Sequence, residues 1–263
     1  MAVVGFIGTG NMGGALARAA AKSGLAEELL LSNRSPEKAR RLAEELGGRF
    51  VSNQEAAERA DLLFLGVKPQ MLEDMLESVQ EALAARRERQ LIISMIAGKD
   101  LAVLGKLLGE DRPVIRIMPN IPVAVGAGVT LFCCSDAVTA EEKELFRRLM
   151  SASGMVAELP ERQLDAASGV TGCGPAFAAM FVEALADGAV ACGLPRKEAI
   201  AFSAQMLLGS ARMLLESGEH PGVLKDRVCS PAGSTIQGVR TLEERAFRAA
   251  VTDAVIATFE KKF

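Results

Sequence analysis

The sequence predicts an α/β protein in two parts, a doubly wound parallel sheet over residues 1–159 followed by an all-helical domain over residues 160–263. Three observations carry that expectation. Strand-length apolar runs alternate with helix-length segments as far as Glu158, a pattern that places parallel strands between two helical layers. After Leu159 the strand signal stops and long Ala/Leu/Met-rich segments take over. Between the first apolar run and the first helix lies the glycine turn "GTGNMG".

Residues 3–7 read as a buried strand, and 12–23 as a helix closed by Gly24. Residues 29–32 are a second strand. Ser35 as N-cap and Pro36 at the first helical position open the next helix, which Gly47 closes. Strands follow at 62–67, 91–95, 114–118, 129–132 and 155–158, with helices at 71–86, 101–108 and 140–153 between them. Beyond Leu159, helices are expected over 160–191, 196–217 and 242–262, broken at "GCGP", "CGLP" and "SPAGST". The boundary at 159/160 rests on this change of period, since neither a repeat nor a low-complexity linker marks it.

Composition narrows the function. The 263 residues suffice for two cores. Apolar residues make up 49 % and the net charge is −3, a globular composition with no electrostatic case for nucleic acid or an anionic membrane. No basic segment precedes the first strand, and the uncharged stretch 121–134 holds one Pro and two Gly, so neither a signal peptide nor a membrane span is expected. Five cysteines without a CxxC pair indicate reduced thiols in a cytoplasmic protein. The adjacent Cys133 and Cys134 read as small core residues. Tyr and Trp are absent and His220 is the only histidine, so a tyrosine acid, a Ser/His/Asp triad and a His-rich metal site are all excluded; no metal is expected.

The glycine turn points to a ligand. A lone G-x-G-x-x-G is weak evidence, but here it links an apolar strand to a helix. Gly8 permits the tight turn, Gly10 lets the backbone approach a pyrophosphate, and Gly13 lets helix and strand pack closely. Thr9, Asn11 and Met12 complete the turn, where the first N–H groups of the helix and its positive dipole end face the phosphates. At the end of the second strand an NAD site would place an acidic residue on the ribose 2′-hydroxyl. This chain has Asn33, Arg34 and Ser35 there, while Glu27 and Glu28 lie at the other end. A guanidinium with two polar neighbours suits a 2′-phosphate, which favours NADPH and leaves NADH possible; the alternative is that Arg34 pairs with a nearby carboxylate. Two further strand ends face the same crevice: "GVKPQ" with Val67, Lys68 and Pro69, and "SMIAG" with Ala97. Lys68 reads equally as a cleft residue and as a solvated charge.

Three more segments, "GVTGCGPAF" (169–177), "GLPRKEA" (193–199) and "HPGVLKDRVCSPAGSTIQGVRTLEE" (220–244), complete a pattern. With the glycine turn, the chain resembles the pyrroline-5-carboxylate reductase family from residue 4 to about residue 262. The resemblance implies an N-terminal Rossmann-type domain, a helical domain that interlocks with a second subunit in a homodimer or higher homo-oligomer, and NAD(P)H-dependent reduction of 1-pyrroline-5-carboxylate to L-proline. It places the substrate carboxylate at Ser230, Gly233 and Ser234 and the imine nitrogen at Thr235, the catalytic candidate. It also puts Glu161 near the substrate, Asn53 at the adenosine end of the cofactor, and Arg227 where the family has a polar residue that reaches NADPH.

The residues are chemically compatible with that implication. "SPAGST" reads as a helix-entry loop whose N–H groups at Gly233, Ser234 and Thr235 converge on an anion, or as an ordinary Ser-Pro helix start. Ala232 stands where the family usually has Gly, and a positive φ there would strain it. His220, ahead of Pro221 and Gly222, shapes a turn. A cyclic imine can arrive already protonated and accept hydride without a strong general acid, whereas a ketone needs one. No Lys lies between Lys143 and Lys197, which removes the helix lysine of a β-hydroxyacid dehydrogenase. Rival readings are another NADPH-dependent imine or 2-oxo-acid reductase, and a non-catalytic NADPH-binding regulator.

Overall fold

The runs "LLFL" (β4, Leu62–Leu65) and "LIIS" (β5, Leu91–Ser94) are buried at every position, as strands covered on both faces must be. They form the centre of the sheet in the computed structural model, which describes residues 1–260. The other strands are β1 (Ala2–Ile7), β2 (Ala26–Ser32), β3 (Arg49–Phe50), β6 (Val114–Pro119), β7 (Gly128–Cys134) and β8 (Gly154–Glu158), in the order β3-β2-β1-β4-β5-β6-β7-β8. Helices α1 (Asn11–Lys22), α2 (Pro36–Leu46), α3 (Asn53–Arg59), α4 (Leu72–Ala85), α5 (Leu101–Leu108), α6 (Ala140–Met150) and α7 (Glu161–Thr171) accompany them. One core cluster holds Phe6, Leu16, Phe64, Phe132 and Phe146, with the Phe6 and Phe64 rings stacked at 4.3 Å. A second holds Ile7, Leu63, Leu65, Val79 and Ile92. Alternate residues of β1 and β4 thus feed separate cores, and each buried Phe or Leu contributes about 1.5–3 kcal/mol.

Several expectations need correction. The sheet is mixed, because β6 and β7 pair antiparallel. A 3₁₀ turn over Ile121–Val125, ended by Gly126 at φ 72°, is their only connection, and a parallel crossover needs a dozen or more residues. Strand β2 begins earlier than expected and includes Glu27 and Glu28. Neither the two-residue edge strand β3 nor α3, capped by the Ser52 side chain that accepts from Glu55 N–H, is anticipated. The helical stretch 160–191 divides at "GCGP", the break read from sequence, into α7 and α8 (Gly174–Ala191), with Pro175 in the first turn of α8.

The change of period at 159/160 is not the boundary in packing. Two compact units meet at Gly172/Cys173. Helix α7 belongs with the sheet because Leu164 is fully buried beside Leu131 and Cys133. Arg116 of β6 pairs with Glu161 at 2.9 Å, and Asn120 Nδ2 donates to the Thr171 carbonyl at 2.9 Å. The second unit carries α8, α9 (Arg196–Ser217), α10 (Pro221–Val228), α11 (Ser234–Glu244) and α12 (Phe247–Glu260). The sequence reading foresees α9 at its observed bounds and the entry of α11 at "SPAGST", misses α10, and starts the last helix five residues early; positions 261 and 262 of that expectation lie outside the described residues.

Cys133 is buried and unpaired, as expected for a small core residue. Burial pushes its thiol up to about 12 and that of Cys134 up to about 11. Neither is a thiolate at neutral pH, so neither is a nucleophile.

Candidate active site

In the order β3-β2-β1-β4 the chain reverses direction across the sheet at β1, and ligands of open α/β sheets bind outside the carboxyl ends of the strands at such a point. A cleft of about 670 Å³ opens there. It is lined by Gly8 and Gly10 from the β1–α1 turn, Asn33, Arg34, Ser35 and Lys38 from the β2–α2 junction, Asn53 from α3, and Gly66, Val67 and Lys68 after β4.

Each glycine has a separate steric reason. Gly8 has φ +100°, and a Cβ there would sit 2.6 Å from the Gly66 carbonyl carbon. A Cβ on Gly13 would lie 2.1 Å from the Gly8 oxygen, so helix and strand could not approach as they do. Gly10 has nothing within 4 Å of that position. Its missing side chain serves open space, the requirement of a ligand that approaches the backbone. The residues present therefore fit a dinucleotide. Gly10 is the N-cap of α1 and supplies no side-chain acceptor, so the N–H groups of Asn11, Met12 and Gly13 face the turn without helical partners. Gly8 and Thr9 donate to the Ser32 carbonyl at 2.9 and 3.2 Å, which ties the turn to the end of β2.

Ser32 Oγ in turn donates to Asn53 Oδ1 at 2.6 Å, and this bond holds Asn53 at the cleft. Arg34 forms no ion pair among the described residues; its Nη1 lies 3.9 Å from Met71 Sδ, and the reading in which a carboxylate occupies it falls away. Lys68 lines the cleft. Thr9 is buried beneath the turn, Pro69 opens a 3₁₀ turn before α4, and Ala97 is exposed after β5; none of these three lines the cleft. The sequence reading missed Lys38, a cleft residue whose signal was its place one turn after Ser35.

Glu161 is engaged structurally. Its Oε1 accepts from Leu101 N–H at 2.8 Å, at the start of α5, and from Arg116 Nη1 at 2.9 Å. Arg116 is 5 % exposed and also faces Asp165 at 3.5 Å. This buried guanidinium, also missed, fixes the carboxylate to the sheet.

In the second unit "SPAGST" is a helix entry. Gly233 is the N-cap of α11 without a side-chain cap bond, and its N–H donates to the Ser230 carbonyl at 3.0 Å. A Cβ on Gly233 would lie 2.3 Å from Ser230 Oγ and would displace that hydroxyl. Ser234 and Thr235 occupy the first turn with exposed side chains and N–H groups that no helical carbonyl reaches. Ala232 has φ +57°, the strained conformation anticipated for it. Arg227 forms a bidentate pair with Glu219, both contacts at 2.6 Å. His220 Nδ1 accepts from Gly222 N–H at 3.1 Å and caps α10, the turn-shaping role read from sequence.

Residues 161–262 match the family described as pyrroline-5-carboxylate reductase dimerisation, and residues 3–98 match the one described as NADP oxidoreductase coenzyme F420-dependent. Pyrroline-5-carboxylate reductase from Escherichia coli K12 is 41 % identical over 98 % of this chain and 96 % of its own length. The chain belongs to the pyrroline-5-carboxylate reductase family. Among solved members, the Coxiella burnetii enzyme superposes with a TM-score of 0.91 at 30 % identity, covering 99 % of this chain and 97 % of the other. The Plasmodium falciparum enzyme, solved with NADP bound, gives 0.85 at 30 % identity over 99 % and 96 %.

Membership also bears on the surface of the second unit. Met180, Phe202, Leu208 and Leu215 are 67, 62, 58 and 73 % exposed. The run Glu161–Ala191 is long and apolar enough to cross a membrane by length and composition, with 11 % of its window buried. The dimerisation match covers the same helices.

Proposed function

We propose that this chain reduces 1-pyrroline-5-carboxylate to L-proline, with NADPH as hydride donor and NADH as a possible substitute. The observation that carries the reading is the cleft at the β1/β4 switch point. Gly8 and Gly13 are close-packed there, Gly10 faces open space, and Arg34 and Lys68 form no ion pair among the described residues. Asn11, Met12 and Gly13 hold the pyrophosphate through backbone N–H groups, Gly10 leaves room for it, and Gly8 and Thr9, whose N–H groups go to the Ser32 carbonyl, shape the turn. Asn33, Arg34 and Ser35 take the 2′-phosphate, and Asn53 takes the adenosine end. Val67 and Lys68 complete the cofactor site, with Pro69 and Ala97 outside the cleft lining. When bound, the cofactor supplies the hydride.

Ser230 and Ser234 hold the substrate carboxylate at the start of α11, where the N–H groups of Ser234 and Thr235 are unsatisfied and the helix end carries about half a positive charge; Gly233, whose N–H goes to the Ser230 carbonyl, opens the helix. The Thr235 hydroxyl orients the imine, and Glu161 borders the substrate. The assembly is a homodimer or higher homo-oligomer through the helical unit, because a chain with so many large apolar side chains exposed on α8 and α9 leaves that surface to a second copy. Free cysteines support a cytoplasmic setting. Nothing in the charge pattern favours nucleic acid.

The test follows loss of NADPH absorbance with 1-pyrroline-5-carboxylate, together with chromatographic detection of proline. Stoichiometric appearance of proline is expected. Turnover of a 2-oxo acid in place of the imine, or NADPH binding without turnover of either, would refute the assignment.

A further inference from the structure

We infer that Lys38 is a second cationic ligand of the 2′-phosphate and shares with Arg34 the discrimination of NADPH from NADH. The inference rests on the cofactor reading above and assigns a residue that the β2 strand end alone does not select. Lys38 is the third residue of α2, and its N–H donates to the Ser35 carbonyl at 3.2 Å, which places it one turn from the Arg34–Ser35 pair. All three residues line the same cleft.

The local charge is unusual for this protein. Arg34, Lys38 and Lys68 line the cleft against one carboxylate, Asp74, a local excess of 3 − 1 = +2 in a chain of net charge −3. None of the three cations forms an ion pair among the described residues, so the cleft keeps their charge uncompensated. The acidic residue of β2 that could have neutralised them, Glu28, is engaged at the other end of the strand by Arg49 and Arg59. A cluster of uncompensated cations is self-repulsive, and an anionic ligand relieves it.

The two side chains divide the space. Arg34 reaches towards Met71 on the β4 side of the cleft, which leaves the α2 side to Lys38. A phosphomonoester carries roughly −1.5 to −2 at pH 7, so one guanidinium leaves much of it unneutralised. Arg34 supplies the planar fork and Lys38 the point charge. The ribose 2′-hydroxyl of NADH is neutral and gains nothing from Lys38, so its contribution appears wholly as preference between cofactors.

The experiment titrates the wild-type protein, Lys38→Met and Lys38→Arg with NADPH, NADH, 2′,5′-ADP and 5′-AMP by calorimetry, at two salt concentrations. Lys38→Met is expected to weaken NADPH and 2′,5′-ADP by about 3- to 10-fold, the range of a solvent-exposed charge contact. NADH and 5′-AMP should stay within about 2-fold, Lys38→Arg should retain most of the affinity, and the salt dependence of NADPH binding should flatten in Lys38→Met. Unchanged NADPH affinity, or equal losses for phosphorylated and unphosphorylated ligands, overturns the assignment of Lys38. Failure of the wild-type protein to favour 2′,5′-ADP over 5′-AMP would overturn the NADPH reading itself, a result separable from the first.

Discussion

Two alanines of the second unit share the same left-handed conformation, and comparing them separates backbone strain from function. Ala232 in the "SPAGST" loop and Ala246 between α11 and α12 both have φ +57°. For an L-residue with a Cβ this conformation costs about 1–2 kcal/mol. Glycine removes the strain but returns about 0.4–1 kcal/mol of conformational freedom to the unfolded chain. Ala232→Gly and Ala246→Gly are each expected to stabilise the protein by about 0.5–1 kcal/mol, which for a protein of this size raises Tm by about 1–4 °C. Melting curves are compared at one protomer concentration, because dissociation of an oligomer would shift them by mass action. Kinetics should separate the pair. Ala232 precedes Gly233, the N-cap whose successors offer their N–H groups, and a glycine there loosens the anion cradle, raising KM for the imine by about 2- to 5-fold. Ala246 lies outside that loop and should leave KM unchanged. A loss of stability in Ala232→Gly, or the same KM change in both variants, would refute the reasoning.

Arg34→Ala should weaken NADPH far more than NADH, since a charge-assisted contact to phosphate is worth about 1.5–3 kcal/mol; comparable losses for both cofactors in a fluorescence titration would contradict the 2′-phosphate role. Gly13→Ala should abolish cofactor binding, because its Cβ would meet the Gly8 oxygen at 2.1 Å; a variant that binds NADPH normally would show that the turn can open. Thr235→Val should lower kcat with 1-pyrroline-5-carboxylate by about 10- to 1,000-fold, equivalent to about 1.4–4 kcal/mol, with NADPH affinity nearly intact; unchanged turnover would remove Thr235 from catalysis. Light scattering should give a mass at least twice the 27.7 kDa of one chain, and an active monomer would contradict assembly through the helical unit.

The parts of the fold legible in sequence are those where a local rule and the tertiary context agree. Helices α5 and α9 appear at their expected bounds, α5 opening on an Asp100 cap whose side chain accepts from Val103 N–H. The antiparallel turn of β7 was illegible because strand direction depends on the length of a connection, and the 3₁₀ turn at Ile121–Val125 has no distinctive periodicity. Strand β3 has two residues, too few for alternation to register. The division in packing differs from the change of period at 159/160, next to which the dimerisation match also begins, for another reason. Helix α7 has the composition of the helices that follow it, but Arg116, Asn120 and the contacts of Leu164 draw it to the sheet, and none of these long-range partners is visible in a local window. At the site, the glycine spacing and the non-acidic end of β2 were readable because each encodes a requirement of one position. Lys38 was not, because only the cleft brings it beside Arg34.

The inventory of proton donors bears on the substrate class. No tyrosine exists, and the single histidine has its Nδ1 occupied by the Gly222 N–H as the cap of α10. Burial raises the Cys133 and Cys134 thiols to about 12 and 11, so neither exchanges protons readily near neutrality. Glu161 has its Oε1 engaged by Leu101 N–H and by Arg116, so it is tied to the sheet. A ketone would require one of these groups to protonate a developing alkoxide, whereas a protonated cyclic imine becomes a neutral amine on accepting hydride. What such a substrate needs from the protein is an anchor for its carboxylate and an oriented hydroxyl near nitrogen. Backbone N–H groups at the start of α11 and the exposed hydroxyl of Thr235 are of those two kinds. Such an anchor and such a hydroxyl suit imine reduction, a reaction that asks for no strong general acid.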